Sequence, residues 1–162
     1  MTRDDFYELV MAAYKPTEAL IGMTPKDKLD WRPAPGFMSL GQIIEHISGG
    51  LGGELRCLIA NDWPFTPEQM VEGMKLENMP SCSVEQALEK LAKDKTTLRA
   101  VLDGLSEEDF GGKMVSTPWG WQGKLEKMAV LFREHFTNHK MQLFTYLKLL
   151  GLPVNTETLY GG

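Results

Sequence analysis

Apolar residues recur along the chain at intervals of three and four in four stretches, and nothing longer than a few residues alternates as a strand would. Over about residues 3–22, Phe6, Leu9, Val10, Ala13, Leu20 and Ile21 form one stripe. Pro16 interrupts it, which predicts a first helix that is bent or split at the missing amide. The second stretch, about 39–61, opens with Ser39-Leu-Gly-Gln42, a capping box in which hydroxyl and amide each satisfy an orphan N–H, with Met38 and Ile43 placed as a hydrophobic staple. The third, about 83–104, repeats the device with Ser83-Val-Glu-Gln86, carries Val84, Ala87, Leu88, Leu91, Leu98, Val101 and Leu102, and stops at Gly104. The fourth, about 123–150, runs from Leu125 through Met128, Leu131, Phe132, His135, His139, Leu143, Tyr146 and Leu147 to Leu150, then meets Gly151 and Pro153.

Each of these four amphipathic helices must bury one stripe, which predicts an all-α protein built as a four-helix bundle. The connections, about 16, 21 and 18 residues long, exceed the 2 to 8 usual in tight bundles, so at least one should cross over a bundle end. They hold Trp31, Trp63, Trp119 and Trp121, along with Pro33, Pro35, Pro64, Pro67 and Pro118. Tryptophans spent in loops point to packed lids, or else to exposed interaction tips.

The length of 162 residues suits one domain, 1–162, and the 43% apolar content excludes a disordered chain. With 17 Lys+Arg against 22 Asp+Glu, the net charge of −5 leaves no excess of cations to displace counterions from a phosphate backbone, so nucleic acid is not the expected ligand. The first residues are acidic where a signal peptide is basic, and no apolar run approaches membrane-spanning length, so a cytoplasmic protein without a membrane partner is expected. Cys57 and Cys82 are too few for a disulfide framework and are not a CxxC pair. Both are read as incidental thiols.

The chain has three histidines, His46, His135 and His139. The i, i+4 spacing sets His135 and His139 on one face of the fourth helix, in its apolar stripe. His46 lies beside Ile43 and Ile47 in the second helix and can complete a facial set of three nitrogens that leaves metal positions open. Taken singly, each is a core histidine bonded to a neighbour. Jointly, three inward imidazoles need partners to offset desolvation, and one divalent metal serves all three. The peptidase pattern, with glutamate directly after the first histidine, is absent: Phe136 follows His135, and Glu134 precedes it on another face. Gln142, seven residues beyond His135, either orients a ring or handles metal-bound water or substrate, or caps a polar patch.

His46 is followed by Gly49, Gly50, Gly52 and Gly53, a burden of about 3–4 kcal/mol against alanines in a helix interior. In a continuous helix Gly49, Gly50 and Gly53 fall at i+3, i+4 and i+7 from His46. They then form either a groove that admits a ligand beside the metal or a surface for close helix packing.

Three features together resemble a known family: Trp31-Arg-Pro33, then Ser39 opening a helix with His46 seven residues on, then Glu134-His135-Phe-Thr-Asn-His139-Lys-Met-Gln142 running through Leu147 to Gly151. In this order and spacing they resemble the DinB-like (YfiT-like) superfamily of metalloenzymes, across nearly the whole chain. That resemblance implies an up-down-down-up bundle with a long crossover between helices 2 and 3. It also implies His46, His135 and His139 as ligands of zinc, nickel or another divalent ion, and a homodimer. Met141 stands where the family commonly has glycine, and Pro16 and the glycine cluster depart from its pattern. Members with known activity include thiol-dependent transferases and isomerases that use a low-molecular-weight thiol.

The expected function is therefore a metal-dependent, thiol-dependent transferase or isomerase acting on a small electrophile. The metal lowers the pKa of bound thiol or water. Gln142 and Glu134 are the candidate proton handlers, and Gly49, Gly50 and Gly53 the bed for the thiol's body. The alternatives are a metal- or small-molecule-binding stress-response protein and a purely structural bundle.

Overall fold

The computed structural model describes residues 1–161. Its elements are α1 (Arg3–Gly22), α2 (Leu40–Ser48), α3 (Gly50–Ala60), α4 (Pro67–Gly73), α5 (Val84–Asp103), α6 (Glu107–Gly112), β1 (Met114–Ser116), β2 (Gln122–Lys124), α7 (Leu125–Leu149) and α8 (Thr156–Tyr160), with a 3-10 turn over Lys26–Lys28. The long helices α1, α5 and α7 and the pair α2 and α3 pack around one cluster of buried apolar side chains. Phe6, Tyr14, Ile43, Leu51, Leu91 and Leu143 are among its members.

The helix starts are those that the capping residues set. Ser39 Oγ accepts from Gln42 N at 3.2 Å while Ser39 N donates to Gln42 Oε1 at 2.8 Å. Gln42 Nε2 then donates to the carbonyls of Leu76 and Met79, so one side chain caps α2 and grips the connection between α3 and α5. Ser83 and Gln86 form the same box at α5. At the other end of the chain Gly151, at φ +81°, closes α7 in the left-handed conformation that an L side chain resists.

The structure refines the expected elements. Of the bend and the split that Pro16 left open, the split does not occur: α1 runs unbroken from Arg3 to Gly22. The second helix is not continuous over 39–61: it breaks at Gly49, and α3 opens on Gly50 at φ +64°. The connections hold short elements of their own, α4 between α3 and α5, and α6 with a hairpin between α5 and α7. The helical class thus includes one small antiparallel ladder, Met114 opposite Lys124, Val115 opposite Gly123 and Ser116 opposite Gln122. The fourth helix begins at Leu125 because residues 122–124 pair in that ladder.

The glycine break has a physical cause. Asp94 of α5 is buried, and its carboxylate accepts from Gly52 N at 2.9 Å and Gly53 N at 3.0 Å, satisfying amides of the first turn of α3. Tyr14 of α1 donates to Asp94 Oδ2 and accepts from Leu51 N, both at 2.7 Å. A Cβ on Gly50 would sit 2.2 Å from Asp94 Oδ2, and one on Gly52 would sit 2.6 Å from Leu98 N. The small residues let α3 approach α5 closely enough for this buried polar knot to close. Burial, and then the Asp94 charge, hold the Tyr14 hydroxyl far above the ordinary phenol range, so it stays protonated as the donor.

Among the tryptophans, Trp31, Trp63 and Trp119 pack partly buried against the core, while Trp121 is 54% exposed. Trp119 bridges Trp63, 5.2 Å between centroids, and Phe132 of α7. These loops are packed against the core except at the tip, where Gly120 turns the hairpin at φ +91°.

Candidate metal centre

The three histidines meet at one point. His46 is presented by the last turn of α2, and His135 and His139 by successive turns of α7, which packs against α2. Ligand-capable atoms of all three lie within 4.8 Å of one another. His46 Nε2 and His135 Nε2 approach to 3.1 Å. Two nitrogens on a tetrahedral zinc at about 2.1 Å stand roughly 3.4 Å apart, so a shift of a few tenths of an ångström suits a shared ion. No carboxylate or thiol joins this set among the described residues.

His139 is oriented. Gln142 Nε2 donates to the Tyr146 hydroxyl at 2.9 Å, which turns Gln142 Oε1 toward His139 Nδ1, also at 2.9 Å. An amide oxygen only accepts, so Nδ1 carries the proton and Nε2 keeps its lone pair. Tyr146 is itself buried and packed edge-on against Trp31. Indirect support of this kind sets ring angle and basicity in metal sites.

Two of the rings resist protonation. Burial, and then the neighbouring His139 and His135, push His46 down to about 4. Burial and His139 lower His135 as well. A ring that resists protonation offers its lone pair to a cation at little cost from proton competition. His46 and His135 are nonetheless exposed on one side and His139 is half-buried, so the site is open.

The cavity at these rings is bounded by His46, Ile47, Gly50, Glu54, His135, Phe136 and His139. Its enclosed space, about 20 Å³, fits an ion or a single water. Anything larger must lie over the open side. Phe136 forms the back wall and stacks on Tyr14 at 4.8 Å, which ties the site to the polar knot behind it.

Not all of the expected site residues come together here. Gln142 reaches the site through His139 and does not line the cavity. Glu134 is exposed on the outer side of α7 and is absent from the lining, as is Met141. The groove of Gly49, Gly50 and Gly53 required a continuous helix, and the break removes that register. Gly50 does line the cavity, but on its Cβ side stand Asp94 and Tyr14, and Gly49 is exposed. Close packing is the reason for Gly50 and Gly52. Cys82 is buried and its thiol is pushed up to about 12, first by burial and then by the Glu45 hydrogen bond, so it is no nucleophile at neutral pH.

Glu54 was not foreseen. It is the one acid in α3 and lines the cavity with the histidines. The signal was present: Ile47, Leu51, Glu54 and Leu58 recur at four, three and four, so an acid occupies an inward position.

The sequence profile of the DinB superfamily matches residues 11–143. The chain belongs to that superfamily. Among solved structures, a crystal structure assigned to the DinB family, from Exiguobacterium sibiricum 255-15, superposes with a TM-score of 0.70 at 21% identity, covering 96% of each chain. That likeness establishes the shared fold. Among curated proteins none matches the chain. Among the described residues no helix is long and apolar enough to cross a membrane.

Proposed function

We propose that this DinB-superfamily chain is a divalent-metal-dependent enzyme, a thiol-dependent S-transferase or isomerase acting on small electrophilic molecules. The observation that carries the proposal is the convergence of three imidazoles, one with its tautomer set by Gln142, on a point open to solvent. His46, His135 and His139 would hold the ion. Three nitrogens with open positions suit zinc or nickel, which when bound would lower the pKa of a thiol or water. Within the chain, Gln142 holds His139 in its ligating tautomer, Phe136 excludes water from the inner side, and the exposed edges of His46 and His135 leave the approach for a substrate. A single domain with the up-down-down-up bundle order, a homodimer and a cytoplasmic location belong to the same reading.

The test is elemental metal analysis of chelator-free protein beside His46→Ala and His139→Ala. About one divalent ion per chain in the parent and little in the variants is expected. Helix content should hold, since alanine is the better helix former. A parent that stays metal-free after incubation with zinc, nickel and manganese overturns the reading.

The smallness of the enclosed cavity favours one alternative, a non-catalytic metal-binding stress-response protein. Metal-dependent consumption of a thiol with an electrophile separates the two: the enzyme consumes both, the binding protein neither.

A further inference from the structure

Eight residues along an unbroken helix would set Glu54 about 12 Å further along the axis than His46. The break at Gly49 and Gly50 instead brings both residues to one cavity, His46 from the end of α2 and Glu54 from α3. The first turn of α3 is fastened by the Asp94 carboxylate, so Glu54 stands on a rigid support. It is half-buried where His46 and His135 are exposed, which places it on the inner side of the site. Its oxygens are not among the atoms that lie within 4.8 Å of one another, so it borders the ligand set without belonging to it.

The other polar groups nearby are committed elsewhere. Both ends of the Gln142 amide are engaged, by His139 and Tyr146, and an amide holds no proton for exchange at neutral pH. Glu134 faces solvent. The titratable groups around Glu54 are Asp94 of α5, Tyr14 of α1, His46 of α2 and His135 and His139 of α7, and its carboxylate stands on the cavity lining within reach of a group that enters the site.

We propose that Glu54 is the proton acceptor for the thiol that enters the three-histidine site, a role that rests on the metal-dependent reading above. The S–H bond of the thiol breaks, an O–H bond forms on the Glu54 carboxylate, and the electron pair stays on sulfur. When that sulfur attacks the electrophile, the bond to the leaving group breaks. The proton held on Glu54 then passes to the leaving group, so the thiol and the electrophile together give a thioether and the protonated leaving group.

The experiment uses cobalt(II)-loaded protein and 2-mercaptoethanol. Cobalt binding is read first by absorption. Calorimetry at pH 7.5, in buffers of different ionisation enthalpy, then counts protons released to the buffer for each thiol bound. The parent should release well below one, because Glu54 takes up the proton. Glu54→Gln should bind cobalt like the parent and release about one, since the free thiol is almost fully protonated at that pH. Glu54→Asp, which keeps a carboxylate, should count closer to the parent.

Equal counts in parent and Glu54→Gln would overturn the role of Glu54 and leave the metal site standing. Loss of cobalt from Glu54→Gln would make Glu54 a ligand and overturn the role equally. No thiol binding by the loaded parent also overturns it, while a parent that binds no cobalt defeats the metal-dependent reading itself.

Discussion

At the scale of single residues, each side chain at the site is set by what stands behind it. Gln142 turns His139, Tyr146 turns Gln142, and Asp94 stands close enough to Glu54 to oppose its ionisation. Glu54 also ties the site to stability. Its carboxyl is raised to about 7 in the folded chain against about 4.5 unfolded, so its contribution is fully present below pH 4.5 and is lost as pH rises through 7. Glu54→Gln, which cannot ionise, should therefore match the parent near pH 4 and exceed it by about 1–3 kcal/mol at pH 8 in the metal-free protein. Denaturant melts at the two pH values check this, and a variant equally stable with the parent at both would show that Glu54 ionises freely. A stability gain on removing a polar group beside a site is what a functional constraint leads one to expect.

At the scale of elements, the break between α2 and α3 is the feature on which the site geometry turns. Gly50 needs φ +64° and its Cβ position is filled by Asp94, whereas Gly49 has φ −60° and is exposed. Gly50→Ala should then cost about 2–4 kcal/mol, from left-handed strain and displacement of the Asp94 carboxylate. Gly49→Ala should change stability by no more than about 1 kcal/mol. Chemical denaturation of the two variants checks the contrast, and similar costs would place the constraint elsewhere. Capping boxes at Thr2, Ser39 and Ser83 made the starts of α1, α2 and α5 matters of local chemistry, and two of them are legible as Ser-x-x-Gln. The break is not legible in the same way. A run of glycines reads equally as a groove or as a packing surface until the partner, Asp94, is known to lie 41 and 42 residues away in sequence, against Gly53 and Gly52.

At the scale of the whole molecule, the metal site joins α2 to α7, two elements whose histidines are 89 residues apart, so an ion bound there favours the folded chain over the unfolded one. Zinc at a hundredfold excess over its dissociation constant should add about 2.7 kcal/mol to the metal-free protein. Thermal melts with and without zinc should show a rise in the parent and none in His139→Ala, and an unchanged parent melt would count against the site. The helical pattern and the capping residues were determined by the sequence alone, because periodicity and local hydrogen bonding act over a few residues. At Pro16 the local rule left a bend or a split open, and α1 continues through it with Thr17 Oγ1 donating to the Ala13 carbonyl on the buried side. Only the tertiary structure decided that the helix breaks between α2 and α3, that Gly50 serves packing against Asp94, that Glu134 faces outward and that Glu54 joins the histidines. Those outcomes depend on contacts between segments far apart in the chain, and the buried Asp94 carboxylate, whose donors lie in the first turn of α3, fixes a break that no local pattern specifies.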